Sequence, residues 1–279
     1  MKVVVTGGSG LTGYHVVEDL LEHGFDVNIV DRVRPKNDHA PYRFVDLENL
    51  GQAFGALEGA DAVVHLAAIP RPIYDTNEVV FRTNVMTTYN VLEAAITLGI
   101  PKLIYASSIS VIGYPFYYQY FAPAYVPIDE NHPKLPQDPY AMSKYLGEEI
   151  AKSFVRRGDI NVISLRLAWV HTPESFKEQI MPMWDDPAAG ATNLWWYVDG
   201  RDAAQAFRIA LESDLQGHQA FFIGAPDSFM KIPSRQLLKD FYPDTEVRSE
   251  LTGNMALVSS RKAEEILGYK AHYTWKSYL

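Results

Sequence analysis

Val3-Val4-Val5-Thr6-Gly7-Gly8-Ser9-Gly10-Leu11-Thr12-Gly13 is the stretch on which the reading of this chain turns. The apolar, β-branched run Val3–Thr6 reads as a buried strand. Leu11–His23 carries Val16, Val17, Leu20 and Leu21 on one side of a helix. The glycines between them permit a tight turn, let backbone N–H groups approach a pyrophosphate, and let helix and strand sit close. The helix N-terminus adds oriented donors and the positive end of a dipole. Gly8-x-Gly10-x-x-Gly13 alone is a weak pattern. Its context makes it a dinucleotide site: a strand before, a helix after, and Asp31 closing a second strand roughly 20 residues on. A carboxylate there accepts from both ribose hydroxyls of NAD and repels the 2′-phosphate of NADP, so NAD is the expected cofactor. Arg32 and Arg34 follow closely, either as phosphate ligands or, the favoured reading, as solvated loop charges.

Working outward, Val27–Val30, Tyr42–Val45, Ala62–Leu66 and Lys102–Ala106 read as further strands. Helical patterns lie between them, clearest over Asn84–Leu98 and Pro139–Arg156. Near-continuous apolar strands alternating with helices imply an α/β protein of the Rossmann type, a doubly wound parallel sheet covered on both faces. Later, Asn161–Leu165 and Ala220–Ile223 read as strands with a helix at Asp199–Leu211 between them. Tyr114–Asp138, rich in Tyr, Phe and Pro, reads as an irregular loop. No repeat or linker interrupts the chain. A cofactor domain is expected over 1–165 and about 196–225, with a small interleaved substrate lobe from 166–195 and 226–279.

The bulk properties narrow the function. The 279 residues, 47% hydrophobic and 21% charged, suit one large α/β unit. A net charge of −9 argues against nucleic acid or an anionic membrane as partner. The absence of cysteine excludes disulfides, thiolate catalysis and Cys-ligated metals, and no metal site is expected. The opening apolar run is too short for a signal-peptide core and no membrane-length apolar stretch follows, so a cytoplasmic enzyme is the default expectation.

Tyr140-Ala141-Met142-Ser143-Lys144 opens a helical pattern. Positions four apart share a face, so phenol and ammonium meet over one site. A free phenol ionises near pH 10, and a neighbouring cation is expected to lower that value toward the working range. Taken alone, this pair would read as a surface pair. Ala106-Ser107-Ser108-Ile109-Ser110, however, follows the fifth strand, at the carboxyl edge where open α/β sheets bind ligands. A hydroxyl there can bond the reacting oxygen while Tyr140 moves its proton.

With these parts together, the chain resembles the extended short-chain dehydrogenase/reductase superfamily, specifically its NAD-dependent epimerase/dehydratase group. The likeness runs through Thr6-Gly7-x-x-Gly10-x-x-Gly13, with Leu11 beside the turn, and through Asp46-Leu47, similar to an adenine-contacting pair. It continues in Val64-His65-Leu66-Ala67-Ala68, which resembles a cofactor-lining strand end, and in Asn84-Val85 with Asn90–Ala95 of the central helix. Ser107-Ser108-x-Ser110-Val111-x-Gly113, Tyr140-x-x-x-Lys144 and Tyr197-Val198-Asp199-x-Arg201-Asp202 complete it. The resemblance implies that Tyr140 is the general acid/base and that Lys144 tunes it and holds the nicotinamide ribose. It implies that Ser108 orients the substrate oxygen, with Ser107 on the cofactor side and Ser110 on the substrate side. Asn84 is implied as a cofactor contact and His65 as a backbone-fixing group. Family members often dimerise through the two long helices, so a homodimer is expected.

Two departures bear on the substrate. Trp169 stands where nucleotide-sugar epimerases carry an asparagine for the nucleotide diphosphate, and only Thr172–Trp196 precedes the Tyr-Val-Asp motif. The shorter lobe suits a small sugar or sugar acid better than a UDP group. The chain resembles uronate dehydrogenases in Ile112-Gly113-Tyr114 and Thr172-Pro173-Glu174, yet has Ile109-Ser110 where those enzymes have Asn-His. Trp169, Trp184, Trp195 and the Tyr117–Phe121 run either form a stacking wall for a sugar or are core and lid packing. Arg71 and His171 are candidates to meet an anionic substrate. The leading expectation is an NAD-dependent dehydrogenase of a small carbohydrate. The alternatives are a UDP-sugar 4-epimerase with tightly held NAD and a non-catalytic dinucleotide-sensing regulator.

Overall fold

The computed structural model describes residues 1–279 and puts the glycine turn between a strand and a helix. β1 (Lys2–Thr6) leads to α1 (Leu11–Glu22), and β2 (Asp26–Asp31) returns beside β1. The alternation continues through β3 (Tyr42–Phe44), α2 (Leu50–Leu57), β4 (Ala62–His65), α3 (Asn77–Thr97) and β5 (Lys102–Ser108). After β6 (Tyr125–Val126) come α4 (Pro139–Arg157), β7 (Asn161–Leu167), β8 (Trp169–His171), α5 (Pro173–Gln179) and α6 (Pro187–Ala191). β9 (Tyr197–Asp199), α7 (Gly200–Glu212), β10 (His218–Ile223), α8 (Ser234–Phe241), β11 (Glu246–Val247) and α9 (Arg261–Leu267) follow.

Seven parallel strands form the main sheet in the order β10-β7-β5-β4-β1-β2-β3. The chain winds outward from β1 to β3, then jumps back to β4 and winds the other way. The reversal falls between β1 and β4, and ligands of open α/β sheets bind at the strand carboxyl ends beside such a point. Alternate residues of β1 serve opposite layers, as the pleat requires. Val3 and Val5 pack with Val16, Leu20, Phe207 and Leu211. Val4 packs with Ala53, Val91, Leu92 and Phe154 on the other side. This is a Rossmann-type doubly wound α/β fold.

The differences from expectation have local causes. α3 begins at Asn77, well before Asn84, because its inward face carries Thr83, Asn84, Thr87 and Thr88, buried polar residues that break the apolar periodicity. The loop expected over Tyr114–Asp138 contains β6, which pairs in parallel with β11. Arg166 and Leu167, expected in the substrate lobe, extend β7 and stand opposite Phe222 and Ile223 of β10. Phe176, Trp195, Phe229 and Trp275 of the lobe segments join the same buried cluster as Val3 and Val5.

A clasp ties the far end of the chain to β9. The Trp275 N–H donates to the Tyr197 hydroxyl at 2.8 Å, and the Tyr278 hydroxyl donates to Asp199 at 2.5 Å. The N–H groups of His272 and Tyr273 donate to Asp202, each at 2.9 Å. Asp199 also caps α7 by accepting the Arg201 N–H. No helix is long and apolar enough to cross a membrane, and no group of three or more acidic, His or Cys residues is placed to hold a metal ion.

Candidate active site

The turn after β1 leaves no room for side chains. The Gly7 N–H donates to Val30 at 2.8 Å, and φ there is +72°. A Cβ on Gly7 would stand 2.6 Å from the Ala67 nitrogen, and one on Gly13 would stand 2.2 Å from the Gly7 oxygen. Gly10 is the N-cap of α1, so the N–H groups of Leu11, Thr12 and Gly13 form its first turn, where a helix has no internal acceptors. Asp31, at the end of β2, accepts the N–H groups of Ser9 at 3.0 Å and Val33 at 3.1 Å. That fixes the carboxylate at the rim without an ion-pair partner.

These residues open onto a cleft of about 790 Å³. The structure brings Gly7, Gly10, Leu11, Gly13, Asp31, Arg32, Leu47, Leu66, Ala67 and Ala68 to its wall, together with Ser107, Ser108, Ser110, Tyr140, Lys144, Arg71 and Trp169. Asp46, Asn84 and His171 stand outside it. The Asp46 carboxylate is taken by Arg32 and by the Glu48 N–H. Arg32 is held as well by Glu48 at 3.0 Å while its side chain stays 48% exposed, a surface charge already paired with two carboxylates. Arg34 pairs with Asp38. Asn84 bonds both backbone groups of Ile69, at 2.7 and 3.0 Å, and reaches Ser143 at 3.1 Å. It pins the loop after β4 to α4, and so supports the cleft from behind.

α4 starts where its cap places it. The Asp138 carboxylate accepts the Tyr140 and Ala141 N–H groups at 2.9 and 3.0 Å, and Pro139 takes the first helical position. One turn apart, Tyr140 and Lys144 then share the face toward β5. The Lys144 ammonium donates to the Ala106 carbonyl at 2.7 Å and lies 5.8 Å from the Tyr140 ring centroid. Burial pushes this lysine down to about 7. Tyr140 moves opposite to expectation: burial pushes its phenol up to about 12. The nearby Ser108 hydroxyl and, more weakly, the charge of Arg71 oppose that rise, while Asp138 adds to it. The lysine charge is spent on a carbonyl, so desolvation decides the tyrosine.

Ser108 ends β5, accepts the Ser110 N–H at 3.1 Å and donates to the Ser110 hydroxyl at 3.0 Å. The Ser107 hydroxyl turns away, donating at 2.7 Å to Glu148, whose carboxylate is forked by Arg166 at 2.8 Å on both oxygens. Both members of that pair are buried. His65 shares 2.7 Å with the Thr6 hydroxyl and 3.2 Å with Thr88. Burial and the Lys144 charge hold it down at about 3, a neutral structural group.

Trp169 is the aromatic of the proposed stacking wall that reaches the cleft. His171 lies behind it, ring centroids 4.4 Å apart, with Nδ1 3.1 Å from the Ser175 hydroxyl and a buried, unpartnered Nε2. Trp184 and Trp195 donate to backbone carbonyls of Phe229 and Pro187, and Tyr117 and Phe121 pack with Tyr114, so these are core and lid residues. Phe116, Met183, Asn193 and Trp196 also line the cleft and escaped the sequence reading. Trp196 arrives through a turn in which Leu194 and Trp195 hold φ of 58° and 51°, which no residue pattern announces. Phe116 stands edge-on to Tyr140, 6.2 Å between centroids.

The glycine cradle, the free first-turn donors and the positioned Asp31 fit NAD. Residues 3–224 match the model of the NAD dependent epimerase/dehydratase family. The chain belongs to that family. An L-arabinose 1-dehydrogenase (NAD(P)(+)) from Haloferax volcanii is 30% identical over 221 residues, 77% of this chain and 84% of its own length. A UDP-glucose 4-epimerase from Corynebacterium glutamicum is 27% identical, covering 98% of this chain and 92% of its own length. A Methanocaldococcus jannaschii protein is 33% identical over 61% of this chain, which spans 56% of that relative. Among solved structures, a short-chain dehydrogenase/reductase superfamily protein from Agrobacterium tumefaciens with bound NAD superposes with a TM-score of 0.77. It is 22% identical, over 100% of this chain and 95% of that one, and shares the fold. This member of the epimerase/dehydratase family is therefore an NAD-dependent enzyme.

Proposed function

We propose that this enzyme oxidises a hydroxyl of a small sugar or sugar acid, with Tyr140 as the general acid/base. The observation that carries this reading is the meeting of Tyr140, Ser108 and Lys144 on the wall that also holds the glycine cradle. Gly7, Gly10, Leu11, Gly13, Asp31, Leu47, Leu66, Ala67 and Ala68 would hold NAD, which supplies the hydride acceptor when bound. The Ser108 hydroxyl and the Tyr140 phenol would both bond the reacting oxygen. As its carbon becomes a carbonyl, the hydroxyl proton would pass to Tyr140 in its phenolate form and the C–H electron pair would leave as hydride. Lys144, near neutrality in its ionisation, would hold the nicotinamide ribose and the electrostatics of the phenol. Ser110 and Trp169 would contact the sugar, and His171 would act through Trp169.

The proposed lobe of 166–195 and 226–279 closes the cleft through Trp169, Met183 and Asn193. The same reading takes the enzyme as cytoplasmic and as a homodimer through α3 and α4, whose outer faces expose Met86, Tyr89 and Met142. The near-full-length match to a 4-epimerase favours a second reading, epimerisation of a nucleotide sugar with NAD retained.

Neutral sugars, uronic acids and UDP-sugars, each offered with NAD and with NADP, separate these readings. Net NADH from a free sugar is the expected result. Interconversion of a UDP-sugar without net NADH would overturn it in favour of the epimerase. Activity confined to NADP would overturn the role given to Asp31.

A further inference from the structure

Four aspartate, arginine or lysine side chains line the cleft: Asp31, Arg32, Lys144 and Arg71. Asp31 is fixed at the ribose rim by two backbone N–H groups. Arg32 is held by Asp46 and Glu48. Lys144 is committed to the Ala106 carbonyl. Arg71 differs from all of these. Its one partner is the Trp169 ring, 5.6 Å from the guanidinium carbon, and no carboxylate lines the cleft beside it. Its charge reaches both Tyr140 and His171, and its side chain stands over Trp169 on the same wall.

A half-buried guanidinium with its donors uncommitted is costly unless something anionic completes it. The chain carries a net charge of −9, yet no acid of its own completes this one. A carboxylate suits the site better than other anions, because the planar fork of arginine accepts it in two parallel bonds. Trp169 keeps the guanidinium oriented and presents a flat face beside it.

We infer that the substrate is a sugar acid whose carboxylate is bound by Arg71 while its ring packs on Trp169. This rests on the proposed oxidation and narrows its substrate class. Neutral sugars would then be poor substrates, since they leave the guanidinium unpaired.

The test compares galacturonate with galactose, and with galactose 6-phosphate, in NAD reduction by the wild-type, Arg71→Ala and Arg71→Lys enzymes. The expected result is a preference for the uronate that falls roughly 10- to 100-fold in Arg71→Ala, the span of one charged hydrogen-bond pair, with partial recovery in Arg71→Lys. Calorimetric titration of galacturonate into Tyr140→Phe enzyme loaded with NAD reads the same site without turnover. Oxidation of galactose with no preference for the acid would overturn the inference and leave the dehydrogenase reading standing. Preference for the phosphate would overturn it too. Arg71-dependent uronate binding with no NADH from any sugar would uphold the anion site while the oxidation reading fails. Weakened binding of NAD alone by Arg71→Ala would assign the arginine to the cofactor pyrophosphate and sink the inference.

Discussion

Tyr140 keeps its proton at neutral pH, since burial holds the phenol at about 12 against the pull of Ser108. The proposed sugar oxidation needs that proton gone, so kcat/KM with NAD is expected to climb with pH from neutral into the alkaline range. Removing the Ser108 hydroxyl leaves the phenol higher still. Ser108→Ala should displace the pH profile upward as well as slow the reaction, which pH-dependent kcat/KM would reveal; an unmoved profile would deny the contact a part. Tyr140→Phe is expected to lower kcat by roughly 10²- to 10⁴-fold, the usual contribution of a positioned acid/base. At the cradle, Gly13→Ala would drive a methyl against the Gly7 oxygen, 2.2 Å from the ideal Cβ. Titration with NAD should then show binding lost in a protein of unaltered far-ultraviolet circular dichroism. That these residues meet on one cleft wall was legible in the sequence, because glycine, tyrosine and serine sit at motif spacings. The direction of the tyrosine shift was not, because desolvation depends on walls such as Phe116 that only tertiary packing supplies.

α4 carries Tyr140 and Lys144, and Glu148 one turn further along fastens the helix to the sheet. It takes the Ser107 hydroxyl of β5 and both prongs of Arg166 of β7, all buried. Deleting one partner strands a buried charge, so Glu148→Leu or Arg166→Met is expected to cost about 3–5 kcal/mol in urea unfolding. The double replacement should recover much of that loss, since two apolar side chains leave no charge behind. A double variant as unstable as the two single losses added together would refute this coupling. Of the elements, the apolar strands and the start of α4 at Pro139 could be read in advance. Periodicity could not find the first turns of α3, whose inner face is polar, nor could it pair Glu148 with an arginine on a different element. Asn84, placed in advance at the cofactor, instead spends its amide on Ile69 and Ser143.

One buried cluster runs from Val3 through Phe176 to Trp275, so sheet and lobe segments share a core. The sequence's loosening rhythm suggested two parts, but a shared core is a property of contacts and leaves no local mark. Acid should therefore act on the whole molecule. His65 and His171 are held down at about 3 and His218 at about 4, all chiefly by burial. Their ordinary value is 6.5, so as pH falls below it the unfolded chain takes up protons that the folded one refuses. Stability is complete above that value and is lost toward the folded values, at about 1.4 kcal/mol per pH unit for each histidine. Thermal midpoints measured across that window should fall with pH, and His218→Gln should flatten the slope; a midpoint that stayed level would rule out the linkage. The clasp on β9 has a meaning in time as well as in space. The Tyr197 hydroxyl donates to Asp227, 30 residues on, but the N–H it accepts, that of Trp275, lies 78 residues further along the chain. At about 5–20 residues per second of synthesis, that longer span takes roughly 4–16 seconds. During translation the wall beside Trp196 is thus among the last parts to be secured, and a nascent chain would form its glycine turn well before the far wall of the cleft is fastened.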